Sequence, residues 1–253
     1  MGFCLPDTMP FETLSAAVAI ILVAFIIRGI TGFGSGLIAV PLLAHFLPLQ
    51  FVVPFMLVLD VTAAVTLLGG QGLRRVRWDE LKPLIPFGII GVLLGVGLLM
   101  NLPKTPLLLG LGVFVLIFGL RSLLDLHGER TISRLWAIPA GLTGGTVGAL
   151  FGTGGPPYII YLSHRLHDKS ELRATFSGLF MIEGGLRVAL FLATGLLLQE
   201  NMATALLLAL PVSMLGLYLG HHVHLGIGRT QMMKLIGLLL LGSGASLIWK
   251  ALG

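Results

Sequence analysis

The sequence predicts an all-α integral membrane protein built from two related halves, and three observations carry that prediction. Of its 253 residues, 56% are hydrophobic and 11% charged, against about 25% charged in an ordinary soluble domain; mean hydropathy is +1.00. Several apolar stretches approach or reach the roughly 20 residues that a helix needs to cross a bilayer. A glycine-rich break also recurs, Phe33-Gly34-Ser35-Gly36 matching Phe151-Gly152-Thr153-Gly154 at an offset of 118.

Composition excludes several classes. The net charge is +5, but the basic residues stand in short connections between apolar stretches, where they orient a membrane chain. No basic patch is interleaved with aromatics, so nucleic acid is not an expected partner. Cys4 is the only cysteine, which leaves no intrachain disulfide. Asp7 and Glu12, and no Lys or Arg, precede the first apolar run. A cleavable signal peptide starts with basic residues, so the first segment is expected to stay in the mature protein.

That first run, Leu14 to Ile27, stops at Arg28, and after the glycine break a second run, Leu37 to Leu49, carries Pro41, His45 and Pro48. Each is too short to span alone. A re-entrant hairpin is expected, its non-helical tip sheltered by protein or by a wet cavity; the alternative is one tilted span followed by a short second one. Three ordinary spans follow, near Phe51 to Leu68, Leu84 to Met100 and Pro106 to Leu124. The second half repeats the plan: Leu135 to Leu150, a break at Gly152 to Gly155, Pro156 to Leu162, then spans near Ala174 to Leu198, Ala203 to Leu219 and Met232 to Ala251. Pro86, Gly91, Gly95, Gly112 and Gly119 recur as Pro211, Gly216, Gly220, Gly237 and Gly244, all at an offset of 125. The change of offset puts seven additional residues into the second half, which fits the connection 163–173.

Lysine and arginine counts orient the chain. Loops 71–82, 125–134 and 163–173 carry the basic residues and are expected in the cytoplasm, with 102–105 and 199–201 outside. For Arg134 and Arg165 to share a side, the segment between them must enter and return. Each half, 1–128 and 129–253, then holds one hairpin and three crossings. An odd number of crossings inverts the second half, and inverted repeats with broken helices point to an alternating-access transporter in the inner membrane.

A helix N-terminus offers unpaired N–H groups and the positive end of its dipole. The second helices of the hairpins are expected to start near Ser35-Gly36 and Thr153-Gly154, with Ser and Thr in N-cap positions and Pro156 in a first turn. Two such N-termini meeting at the midplane form a site for a small anion. The expected binding set is Arg28, Gly32, Phe33, Gly34, Ser35 and Gly36 from the first break, Gly152, Thr153, Gly154, Gly155 and Pro156 from the second, and Arg187. The competing reading is that the glycines serve tight helix packing and the hydroxyls only cap. Arg28 would clamp an oxyanion with two parallel hydrogen bonds, or else snorkel to an interface. Glu183 and Arg187 share a helix face and can neutralise each other. Asp60 is either a proton carrier or the partner of an arginine. As intramembrane ionisable groups, Asp60 and Glu183 are the candidates for coupling or charge pairing.

His221, His222 and His224 follow an apolar run toward Arg229 and read as interfacial; no carboxylate or cysteine at ligand spacing supports a metal site. Ser163, His164 and His167 read as loop residues. No nucleophile elbow is present, so neither catalysis nor a cofactor is expected. The face Gly88-x-x-Gly91-x-x-x-Gly95 suits packing within one chain or in a homo-oligomer.

Gly32-Phe33-Gly34-Ser35-Gly36 with Pro41, and Gly152-Thr153-Gly154-Gly155-Pro156, resemble the TauE/SafE sulfite exporter family of membrane permeases. The resemblance covers nearly the whole chain, including the basic connection from Arg74 to Lys82. It implies a permease for sulfur-containing anions such as sulfite, sulfonates or related organic acids. The alternatives are an anion channel or non-transporting membrane subunit, and an intramembrane enzyme working through Glu183, Asp60 or histidines.

Overall fold

The computed structural model describes residues 11–32, 34–71, 75–123, 132–166, 168–222 and 229–252. Ten α-helices follow in order: α1 (Phe11–Thr31), α2 (Ser35–Leu43), α3 (Leu49–Gln71), α4 (Trp78–Asn101), α5 (Lys104–Leu123), α6 (Ala137–Phe151), α7 (Gly155–Arg165), α8 (Lys169–Ala193), α9 (Met202–His222) and α10 (Arg229–Leu252). A 3-10 turn, Arg134–Trp136, leads into α6. Helices α1, α3, α4, α5, α8 and α9 are long and apolar enough to cross a bilayer. This is an all-α integral membrane protein. Phe33, residues 72–74 and 125–131 of the two basic loops, His167 and His224 lie outside the described residues.

One boundary differs from expectation in a way that matters. α1 does not stop at Arg28; it has 21 residues and ends at Thr31, a rise of roughly 31 Å, so it is long enough to cross by itself. The arginine sits inside the helix because its charge is met by the protein. α6 and α7, with 15 and 11 residues, are both short, as expected.

Both breaks use the same stop. Gly32 (φ 87°) and Gly152 (φ 66°) are left-handed, and their N–H groups bond back to the carbonyls of Arg28 (2.7 Å) and Gly148 (3.1 Å). Glycine is favoured there because L side chains resist that conformation. The helices resume at Ser35 and Gly155. The two left-handed glycines are 120 residues apart, and so are the residues at which the helices resume, Ser35 and Gly155.

α7 and α2 leave the breaks toward opposite ends. Arg134, just before α6, and Arg165, at the end of α7, both reach Glu80, so α6 and α7 enter and return at one end. There Arg77 pairs with Asp79 and Glu171, bringing together the described parts of loops 71–82, 125–134 and 163–173. α2 ends elsewhere: His45 Nε2 lies 2.9 Å from Ser246 Oγ, and Lys250 donates to the His45 carbonyl at 2.6 Å. Gln199 joins Gln50, whose amide reaches the Leu99 carbonyl, at that same far end.

In lipid, helices associate through close packing rather than through apolar burial, which favours small residues at contacts. A Cβ on Gly91 would lie 2.8 Å from Thr146 N, and one on Gly145 2.9 Å from Val92 N, so α4 and α6 touch backbone to backbone. Hence the Gly88, Gly91, Gly95 face packs within the chain. α1 and α9 touch likewise through Gly29, Gly216 and Gly220. On α5 and α10, Gly112 faces the Gly244 carbonyl and Gly119 the Gly237 carbonyl, each at a would-be Cβ distance near 3 Å (3.1 Å). Gly145→Leu is therefore expected to force α4 from α6 and cost about 3 kcal/mol or more. Gly97→Leu, where a Cβ meets nothing within 4 Å, should be neutral. Melting temperatures of the two purified variants check this, and equal values would refute it.

Candidate substrate site

The two breaks meet. A Cβ on Gly36 would run into the Gly152 carbonyl, and one on Gly152 would touch Val40 and Val53. Around that contact lies a pocket of about 20 Å3 lined by Arg28, Gly34, Ser35, Gly36, Leu37, Asp60, Gly152, Thr153, Gly155, Pro156, Phe176 and Phe180. That is water-sized. The starts of α2 and α7 both form its wall; α2 brings the first-turn N–H groups of Ser35, Gly36 and Leu37, whereas in α7 Pro156 and Pro157 have none and Gly155 alone of its first three residues can offer one.

Arg28 is 4% exposed and Asp60 3%. The Arg28 Nη1 atom pairs with Asp60 Oδ1 and donates to Ser35 Oγ at 2.9 Å; Nη2 donates to the Asp60 carbonyl at 2.9 Å. Ser35 in turn donates to Asp60 Oδ1 at 2.5 Å. α1, α2 and α3 are tied at one point by this triad. Asp60 is thus the partner of an arginine. The terminal nitrogens of Arg28 serve Asp60 and Ser35, and its Nε is left without a partner.

Neither hydroxyl is an N-cap. α2 is capped by Gly34 (φ 95°) and α7 by Gly154, without side-chain caps. Ser35 instead bridges the arginine and the aspartate. Thr153 Oγ1 and Arg28 Nε are buried without a hydrogen-bond partner, and both residues line the pocket. Buried polar groups nearly always find partners, so the two orphans are the exceptions among the described residues, and both belong to residues that line this pocket.

Arg187, 2% exposed, does not pair with the Glu183 carboxylate. It donates to the Gly148 carbonyl at 2.7 Å and to the Glu183 carbonyl at 3.4 Å. The Glu183 carboxylate takes Tyr158 Oη at 2.5 Å, which also lies 3.3 Å from the Gly141 carbonyl. Gly88 makes this niche, since a Cβ there would strike Glu183 Oε1 and sit 3.1 Å from Tyr158 Oη. Helix spacing alone brings Glu183 and Arg187 to one face, but each finds a nearer polar group on another helix, Tyr158 and the Gly148 carbonyl.

Three side chains were missed by the sequence reading. Phe180 stands 5.6 Å from the Arg28 guanidinium carbon and 4.9 Å from that of Arg187. Tyr158 and Tyr161 bind buried carboxylates, Glu183 and Glu80. A signal was available for the tyrosines: two of the chain's three fall in one short apolar helix, and a buried tyrosine hydroxyl needs a partner. No such signal exists for Phe180, one phenylalanine of 14. His221 and His222 are exposed at the end of α9.

The family model described as sulfite exporter TauE/SafE matches residues 17–247. A probable inner membrane transporter protein, TsaS, of Comamonas testosteroni is 32% identical over 202 residues, covering 77% of this chain and 82% of the relative. No solved structure matches. With helix breaks that meet around a buried arginine, and a match running over nearly all of its length, the chain belongs to the TauE/SafE sulfite exporter family and is a multi-pass protein of the cell membrane.

Proposed function

We propose that this protein is a permease for a small sulfur-bearing oxyanion, sulfite or an organic sulfonate, seated between the two helix breaks and moved by alternating access. One observation carries the reading: Arg28 Nε and Thr153 Oγ1 stand buried and unpartnered in the wall of one pocket where two helices begin. An N–H donor, a hydroxyl, the first-turn amides of α2 and the Gly155 amide of α7 suit an oxyanion. Gly32, Gly34, Gly36, Gly152, Gly154 and Gly155 bring no side chain to the backbone at their positions, Pro156 is the second residue of α7, and Phe33 belongs to the break after α1. Arg28 is neutralised by Asp60, so Arg187 supplies the net attraction, and Glu183 is the ionisable group available for coupling. The pocket is water-sized, so an anion enters only as the tips of the breaks part.

The halves 1–128 and 129–253 act in this reading as inverted repeats. The helix contacts support it, because they pair off: α1 on α9 with α6 on α4, α3 on α9 with α8 on α4, and α3 on α8 and α5 on α10 with themselves. The crossed glycines of α5 and α10 have the self-complementary form that a two-fold axis imposes.

Purified protein in liposomes tests the proposal. Sulfite flux is expected to saturate, and Arg187→Gln to lower it by about tenfold or more while the protein stays folded. Flux rising linearly with concentration would favour a channel, and no flux of sulfite, sulfoacetate or a simple sulfonate would refute the permease reading.

A further inference from the structure

Phe180 lines the pocket and is the aromatic ring there that lies near two buried guanidinium groups. It rises from α8 two turns before Arg187, on the same helix face, with Arg187 at 4.9 Å from its ring centroid and Arg28, from α1, at 5.6 Å. Both fall inside the distance of about 6 Å at which the negative face of an aromatic ring attracts a cation. Asp60 neutralises Arg28, whereas the polar groups bonded to Arg187 are the neutral carbonyls of Gly148 and Glu183. Two cations therefore meet one carboxylate in an ion pair and one aromatic ring, while the Glu183 carboxylate, one turn from Arg187 on α8, is hydrogen-bonded to Tyr158 and not to the guanidinium.

We propose that Phe180 is a placeholder: in the empty site its ring compensates Arg187 and Arg28, and on anion binding it gives up that contact so that the anion takes the guanidinium instead. This deepens the permease reading above and rests on it. A ring suits the task because its attraction is electrostatic but weak. It shields a buried cation without forming a bond that the substrate cannot break, whereas a carboxylate at this position would hold the arginine permanently. It also makes Phe180 a residue that sets affinity by competition, without itself being a ligand.

Ring fluorination tests this, since three fluorines cancel the negative face while leaving the shape nearly unchanged. With trifluorinated phenylalanine at position 180, the anion-free protein is expected to melt several degrees lower. The sulfite concentration that gives half of the full thermal stabilisation is expected to fall about tenfold. The same replacement at Phe51, which is buried in α3 and stacks on Phe55, should leave sulfite affinity unchanged. Phe180→Leu, which keeps an apolar side chain and loses the ring, is expected to follow the fluorinated variant. Unchanged melting of the anion-free protein would overturn the compensation. Weaker sulfite binding in both Phe180 variants would overturn the placeholder and make the ring part of the binding surface. A failure of the permease reading itself is seen separately, as wild-type protein that responds to no sulfur oxyanion.

Discussion

Replacing Asp60 by alanine is expected to destabilise the protein by about 3–5 kcal/mol and to abolish transport, while Arg28→Ala does less harm. The asymmetry follows from chemistry. A guanidinium cannot shed its proton in a protein, so without Asp60 the buried Arg28 stays charged, with Ser35 as its remaining polar side-chain partner. Without Arg28, the Asp60 carboxyl can take up a proton and become a neutral group bonded to Ser35, which is far cheaper to bury. The double variant Arg28→Ala with Asp60→Ala should recover most of the lost stability and none of the transport, because removing both charges leaves none uncompensated. Melting of the three purified variants in detergent, alongside liposome flux, decides it. If Asp60→Ala melts with or above Arg28→Ala, the ion pair is not what holds α1 to α3.

The contrast between what could and could not be read in the sequence runs along the same line. Helix count, the short α6 and α7 and the shared end of the three basic loops follow from apolar length, glycine position and arginine count, all local properties of the chain. Arg28 breaks the pattern because a charged residue in an apolar run reads as its end; Asp60, 32 residues away, makes it tolerable inside α1. Ser35 and Thr153 have the right chemistry for N-caps and the right place in sequence, yet glycines hold both cap positions. The hydroxyls went to, or were left for, the pocket. Arg187 and Glu183 were paired by helix spacing, and tertiary neighbours, Gly148 and Tyr158, outbid that spacing. Phe180 acquires meaning only when α1 and α8 bring two arginines to it. Local rules wrote the elements; the polar contacts across them had to be seen.

Glu80→Ala is expected to cost about 3 kcal/mol and to loosen one hairpin in particular. Glu80 is 3% exposed and gathers three elements. Arg165 donates to it from the end of α7 at 2.7 and 3.0 Å, Arg134 from the turn before α6 at 3.2 Å, and Tyr161 from within α7 at 3.0 Å. These contacts do not weigh equally. Arg134 is largely in solvent and Arg165 partly so, and screening keeps such pairs small. The larger share falls on Tyr161, 1% exposed, whose hydroxyl loses its carboxylate acceptor in a dry site. Asp79→Ala, one residue away but paired with the half-exposed Arg77, should therefore change stability by no more than about 0.5 kcal/mol. Hydrogen exchange supplies the sharper readout: in Glu80→Ala the amides of α7 should exchange faster while those of α5 and α10, which pack on each other away from Glu80, stay protected. Equal melting of the Glu80 and Asp79 variants, or faster exchange spread evenly over all helices, would mean that Glu80 is one surface ion pair among several. The expected result makes it the anchor that fixes α6 and α7 to the rest of the membrane domain, so that the break between them, and with it Thr153, is held against the break of α1 and α2.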